Sequence, residues 1–156
     1  MKELQVRSDL EMIKWGEILG ERVEPGDLFF LSGNLGAGKT TLVKGIAKGM
    51  QIETDITSPT FQLLKTYHGK YQLNHLDLYR LGGEAETEIL DLEELTIDGV
   101  TVIEWGDFIK GRLFTEYLEI SIQYSKTVDY RNVTLIASGA RYERLIEELN
   151  NADFRS

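Results

Sequence analysis

Between residues 33 and 40 the chain reads Gly33-Asn34-Leu35-Gly36-Ala37-Gly38-Lys39-Thr40, a full match to G-x-x-x-x-G-K-[ST]. Each residue type has a task in phosphate binding. Glycines at 33, 36 and 38 permit positive φ and let phosphates come close to main-chain N–H groups. Those N–H groups, with the N-terminus of a following helix, offer donors and a favourable dipole to a β-phosphate. Lys39 is placed to meet the β- and γ-phosphates and the Thr40 hydroxyl to meet Mg²⁺. A glycine-rich turn that binds nothing is the competing reading. The context favours the phosphate loop: the apolar run Leu28-Phe29-Phe30-Leu31 precedes it and a helical pattern from Lys39 to Met50 follows.

Such a site needs a carboxylate at a strand end to hold the magnesium shell. Asp77 ends Tyr71-Gln72-Leu73-Asn74-His75-Leu76-Asp77, and Glu104 ends Val100-Thr101-Val102-Ile103-Glu104. The second run is the more apolar, which puts Glu104 at the carboxyl end of a central strand; a solvated acid at a strand terminus is the alternative for either. Thr57-Ser58-Pro59-Thr60-Phe61 falls where P-loop proteins carry a γ-phosphate-sensing segment, or else forms a proline turn leading into a strand. Asn74-His75-Leu76-Asp77 is a near miss to the guanine-reading N-K-x-D box. His replaces Lys and the tetrad falls within a strand, so guanine is unsupported and ATP is the expected nucleotide. His75 reads as a packed or hydrogen-bonded strand residue more readily than as a ligand. Trp105 reads equally as core or as part of the site.

The elements that must position these groups follow from periodicity and turn chemistry. Residues 2–6 alternate as a strand. Ser8 and Glu11 have capping-box spacing for a helix running to about Gly20, and Pro25-Gly26-Asp27 is a turn. Residues 28–31 have the pattern of a strand buried on both faces. Strand content recurs at 61–67, 71–78, 99–104, 117–124 and 128–137, with His68-Gly69-Lys70 joining the first two as a hairpin. A short helix is expected within Glu84–Leu95 and a C-terminal helix over Arg141–Asn150, with Leu145, Ile146 and Leu149 on one side. Residues 1–156 therefore read as a single α/β domain of the P-loop NTPase type, its sheet mixed, partly antiparallel and flanked by helices.

The 156 residues carry 17 basic and 26 acidic side chains, a net charge of −9, and no cysteine. An excess of acid disfavours autonomous binding to RNA or DNA, because phosphate contacts come from clustered Lys and Arg. Without cysteine there are no disulfides, thiolate zinc sites, iron–sulfur clusters or Cys nucleophiles, which fits a reducing compartment. The longest strongly apolar run, residues 28–31, is far short of the roughly 20 residues of a spanning helix. The first nine residues lack an apolar signal core. A cytoplasmic protein with no membrane association is expected.

The phosphate loop, Ser58-Pro59-Thr60-Phe61, His75-Leu76-Asp77-Leu78-Tyr79-Arg80 and Glu104-Trp105 occur in this order. With them the chain resembles the TsaE (YjeE-like) family, small bacterial P-loop ATPases of tRNA threonylcarbamoyladenosine synthesis, over roughly residues 8–137. The resemblance implies an ATPase using ATP and Mg²⁺ together with two partner subunits, TsaD and TsaB. Those partners attach a threonylcarbamoyl group to adenosine 37 of tRNAs that read codons starting with A, and hydrolysis resets the complex between turnovers. No strong direct contact with tRNA is implied for this chain. Carried over by position, Leu35, Gly36, Ala37, Gly38, Lys39, Thr40 and Thr41 hold the phosphates, and Thr40 and Glu104 hold magnesium. Asp77 joins the metal shell or positions water, Thr60 belongs to the switch segment, and Trp105 lies beside the site. Lys39, Asp77, Glu104 and Thr60 are the expected catalytic set.

The chain also departs from the family pattern. Asn34 stands where the family often has Asp, and Met12 or Ile13 falls where it usually has Thr, which blurs the base contact expected near Ser8 and Asp9. A late arginine near the nucleotide is expected and Arg131 is its best match. A P-loop small-molecule kinase is the alternative, but only Arg80 and Arg112 are at hand to build an arginine lid. A binding module without turnover is disfavoured by the intact Lys39, Thr40, Asp77 and Glu104.

Overall fold

The computed structural model describes residues 1–34, 36–57, 64–79, 92–107 and 109–152. Seven strands form one sheet in the order β1-β7-β6-β2-β5-β4-β3. They are β1 (Lys2–Val6), β2 (Leu28–Gly33), β3 (Leu64–His68), β4 (Gln72–Asp77), β5 (Val100–Glu104), β6 (Tyr117–Tyr124) and β7 (Arg131–Ser138). The four inner strands β6, β2, β5 and β4 run parallel. The outer pairs β1/β7, β6/β7 and β3/β4 are antiparallel. The helices described are α1 (Asp9–Glu21), α2 (Lys39–Gly49), the single turn α3 (Leu92–Leu95) and α4 (Ala140–Asn150). Among the described residues no helix is long and apolar enough to cross a membrane.

The run Leu28-Phe29-Phe30-Leu31 is continuously apolar because β2 is buried on both faces. Phe29 and Leu31 enter the larger cluster under α1, α2 and α4, which includes Trp15, Leu42, Ile46 and Leu145. Leu28 and Phe30 enter a smaller cluster on the opposite face with Leu76, Ile103, Leu92 and Ile109. Each such side chain contributes about 1.5–3 kcal/mol on burial. The three long helices thus share one face, and α2 leaves β2 directly above the ends of the parallel strands.

Helix α1 starts as its sequence dictates. Ser8 is extended, and its side chain accepts from the Glu11 N–H at 3.1 Å. Glu11 reaches back one residue further than in a capping box, accepting from the Arg7 N–H at 3.0 Å and pairing with the Arg7 guanidinium. At the other end of the fold, Arg141 in the first turn of α4 grips Asp27 through two bonds of 3.0 and 2.8 Å and donates to the Arg22 carbonyl. Tyr142 beside it accepts from the Leu28 N–H at 2.8 Å, and burial pushes its hydroxyl up to about 12. Together they pin the entry to β2.

The start of β7 shifts. Residues 128–130 belong to a turn, closed by bonds between Ser125 and Tyr130 and between Tyr130 and Thr127, with Asp129 at φ 68°; β7 starts at Arg131. Of the expected strand 61–67 and helix 84–95, residues 61–63 and 84–91 lie outside the described residues, as do Arg80 and Ser58 to Thr60 of the expected switch segment.

The tightest joint is the crossing of α1 over α2. Gly16 and Gly20 face Gly45 and Gly49, two pairs with four-residue spacing. A Cβ on Gly45 would stand 2.4 Å from the Ile13 carbonyl oxygen, and one on Gly20 only 2.1 Å from that of Ile46. Only glycine fits between these backbones. In an open helix, Gly→Ala gains up to about 1 kcal/mol of helix propensity. At this crossing the overpacking, about 1–3 kcal/mol, has the opposite sign and wins. Gly45→Ala is therefore expected to lower the melting temperature by several degrees, whereas Lys44→Ala on the exposed side of the same helix leaves it nearly unchanged; thermal unfolding followed by circular dichroism checks the contrast.

Candidate functional site

The loop between β2 and α2 is folded by its own backbone. The Ala37 N–H donates to the Asn34 carbonyl at 2.9 Å, and the Leu42 N–H donates to that of Gly38, opening the helix. Gly38 caps α2 at φ 115°, a conformation that side chains disfavour. The first N–H groups of α2 have no intrahelical acceptors and point out of its N-terminus, the arrangement that attracts phosphate.

A cavity of about 610 Å³ opens over this loop. Gly36, Gly38, Lys39, Thr40 and Thr41 line it from the loop and the first turn of α2, and Asp9 lines it from the start of α1. Asp77 and Tyr79 enter from the end of β4, Glu104 and Trp105 from the end of β5, and Arg131 from β7. Ala37 is buried and does not line it; its carbonyl instead accepts from Arg131 Nε at 3.1 Å. Leu35 and Thr60 lie outside the described residues. The fold therefore gathers around one space residues that are up to 122 positions apart (Asp9 to Arg131).

Parallel pairing of β4 and β5 sets Asp77 directly opposite Glu104. The Asp77 carboxylate accepts from the Tyr79 N–H at 2.9 Å, turning the chain as it leaves the strand. Glu104 is only 5% exposed. Its Oε1 stands 3.4 Å from Lys39 Nζ and its Oε2 stands 2.6 Å from His75 Nε2. Burial pushes this carboxyl up, but the bond to His75 and the charge of Lys39 outweigh it and hold the group below its ordinary range.

Trp105 is half exposed, so its reading as core is overturned. It sits at φ 59°, with its ring 5.0 Å from that of Tyr79 and 5.1 Å from Lys39 Nζ. Arg131 stacks on Tyr124 at 4.6 Å. A Cβ on Gly36 would meet the Tyr124 hydroxyl at 3.2 Å, so the β6–β7 hairpin braces the loop from the side. Tyr79 and Tyr124 were not assigned roles from the sequence. Tyr79 lies in the H-x-D-x-Y-R stretch and was legible there; nothing local marks Tyr124, which reaches the site only through the pairing of β6 with β2. Asn74, within β4, bonds to the Leu95 carbonyl and to Thr101, confirming that the N-x-x-D tetrad is strand structure rather than a base-reading loop.

The lowered carboxyl has a consequence for stability. Glu104 contributes more as the anion in the folded chain than in the unfolded one, so its contribution is complete above the ordinary value of 4.5 and is lost as pH falls through the lower folded value. Urea unfolding from pH 7 to pH 3 is expected to show the stability difference between the wild type and Glu104→Gln shrinking below about pH 4.5; a difference independent of pH would contradict the anionic assignment.

The chain is matched over residues 6–133 by a family model described as "Threonylcarbamoyl adenosine biosynthesis protein TsaE". A Bacillus subtilis protein named tRNA threonylcarbamoyladenosine biosynthesis protein TsaE is 44% identical over 131 residues, covering 83% of this chain and 82% of its own length. A Treponema pallidum protein of the same name is 41% identical over 118 residues, covering 75% and 87%. The crystal structure of Bacillus subtilis YdiB superimposes with a TM-score of 0.79 at 35% identity, covering 96% of this chain and 93% of that one. The family match runs from the end of β1 into β7 and so takes in the phosphate loop, both carboxylate strand ends and Trp105: the chain belongs to the TsaE family.

Proposed function

We propose that this chain is the ATP-binding and ATP-hydrolysing subunit required for threonylcarbamoyl modification of adenosine 37 in tRNAs reading codons that begin with A. The names of its relatives point to that pathway. One observation carries the chemistry: Lys39, Thr40, Asp77 and Glu104, from three separate elements, converge on one cavity at the ends of the parallel strands. The loop N–H groups and the α2 N-terminus take the β-phosphate. Lys39 exchanges its contact with Glu104 for the β- and γ-phosphates. Asp9 and Arg131, which line the same cavity, flank the adenosine, and Asp77 and Glu104 orient the attacking water.

The donors at this site also suit Mg²⁺. A hydroxyl and two carboxylates are the hard oxygen ligands of an ion that keeps several waters and shares phosphate oxygens. Among the described residues no group of three or more His, Asp or Glu is arranged as a metal cage. Thr40, with Glu104 and Asp77, would hold the ion, whose chemistry is to neutralise charge on the phosphate oxygens.

TsaD and TsaB are the proposed partners, and they grip the tRNA while this chain does not. The charge of −9 supports that division of labour. The proposed reading requires slow ATP turnover by the chain alone that rises when TsaD and TsaB are added, and loss of modified tRNA from a reconstituted reaction lacking this chain. Equal turnover with and without the partners would count against it. Lys39→Ala is expected to lower ATP affinity about 10- to 100-fold, the worth of a charged hydrogen bond, and to abolish turnover.

Trp105 offers an optical check of where nucleotide binds. With the buried Trp15 replaced by Phe, intrinsic fluorescence reports Trp105 alone. Adding ATP draws Lys39 from its ring, and the emission is expected to change in the wild-type loop and not in Lys39→Ala at matched occupancy.

A further inference from the structure

His75 is fully buried on β4, one strand away from the phosphate loop's own strand neighbour. It shares a face with Asp77, while the β4–β5 register sets it against Val102; its bond to Glu104 is therefore diagonal, two residues along the neighbouring strand. Its Nδ1 has no hydrogen-bond partner among the described residues. The ring's hydrogen-bonding capacity in the sheet is thus directed to one atom, Oε2 of Glu104.

The two contacts of Glu104 differ in how they respond to a ligand. Lys39 belongs to the phosphate loop, and arriving phosphates compete for it. His75 lies in the sheet, where packing fixes the ring and no ligand reaches. When Lys39 leaves, the His75 contact alone among the described residues remains to restrain a side chain with three rotatable bonds.

The geometry points to His75 as the positioning residue of the site: its Nε2–H holds Oε2 of Glu104 and so keeps Oε1 turned toward the phosphates after Lys39 has moved. This rests on the nucleotide-hydrolase reading above. Partners that orient a ligand in this way are worth about 10- to 100-fold in metal affinity or rate.

The test compares His75→Leu, which fills the space without a donor, with His75→Gln, whose amide nitrogen reaches about as far as Nε2. His75→Met stands in if the leucine variant does not fold. Thermal unfolding establishes that each variant is folded. Calorimetric titration with ATP, with and without Mg²⁺, gives the gain in affinity due to the ion, and steady-state assays with TsaD and TsaB give kcat and KM. In His75→Leu, affinity without Mg²⁺ and KM stay at wild-type levels, while the magnesium-dependent gain and kcat fall about 10- to 100-fold; His75→Gln recovers most of both. A folded apolar variant with wild-type gain and kcat overturns the inference. So does a folded glutamine variant as impaired as the apolar one, which would leave His75 as packing alone. A wild-type chain with neither gain nor turnover would instead overturn the hydrolase reading itself.

Discussion

A carboxylate taken almost wholly out of water must be compensated where it stands, and Glu104 is compensated on both oxygens. Much of the architecture is a condition for that arrangement. Strand β4 must run parallel to β5 in a register that brings His75 within reach, and α2 must begin where Lys39 comes down onto the other oxygen. If either partner were lost, a buried anion would be left short of a donor, which is far more costly than losing a surface ion pair. The acid, the lysine and the histidine are therefore a single unit, although they come from three different elements.

The position of α2 depends on another close constraint, at its crossing with α1. Gly16 and Gly20 on α1 let the backbone of α2 approach at Gly45 and Gly49 without intervening side chains. A pair of alanines would push the helices apart and tilt the start of α2, and with it the loop whose N–H groups must meet a ligand. Interiors are packed as densely as organic crystals, so such a displacement is transmitted rather than absorbed. The hairpin of β6 and β7 fixes the loop from the remaining side through Arg131 on the Ala37 carbonyl.

The sequence showed most clearly what is local and chemically specific. Glycine, lysine and threonine at fixed spacing marked the loop; the apolar run Leu28 to Leu31 marked a strand buried on both faces; Ser8 and Glu11 marked the start of α1. The strand content of residues 117–124 marked a strand with the bounds observed. What stayed hidden depends on distance across the fold. His75 looked like an ordinary strand residue because its partner is 29 positions away. The Arg141–Asp27 clamp spans 114 positions, with no local signal at either end. The G-x-x-x-G spacings in both helices were visible as strings, but their meaning needs the crossing that brings them face to face. Asp129 delays the start of β7 to Arg131, because a turn at positive φ overrides β-propensity.

Lys39 shows how these constraints bear on chemistry. In the structure its ammonium has two attractions, the buried Glu104 carboxylate at 3.4 Å and the face of Trp105. A cation–π contact at a partly exposed ring contributes about 0.5–1 kcal/mol. A charged hydrogen bond contributes about 1.5–3 kcal/mol, and a triphosphate offers several. The balance favours transfer of Lys39 to an arriving phosphate. That single movement would release one oxygen of Glu104 and uncover the indole of Trp105. Trp105 is held at φ 59°, a conformation that costs a non-glycine residue about 1–2 kcal/mol. Its tilted ring contact with Tyr79 offsets part of that cost and keeps the indole lining the cavity, where the lysine can reach it. The strained tryptophan and the buried acid are consecutive in the chain and touch the same ammonium, so the charge state of the loop is linked at once to a solvent-facing aromatic and to a carboxylate sealed within the sheet.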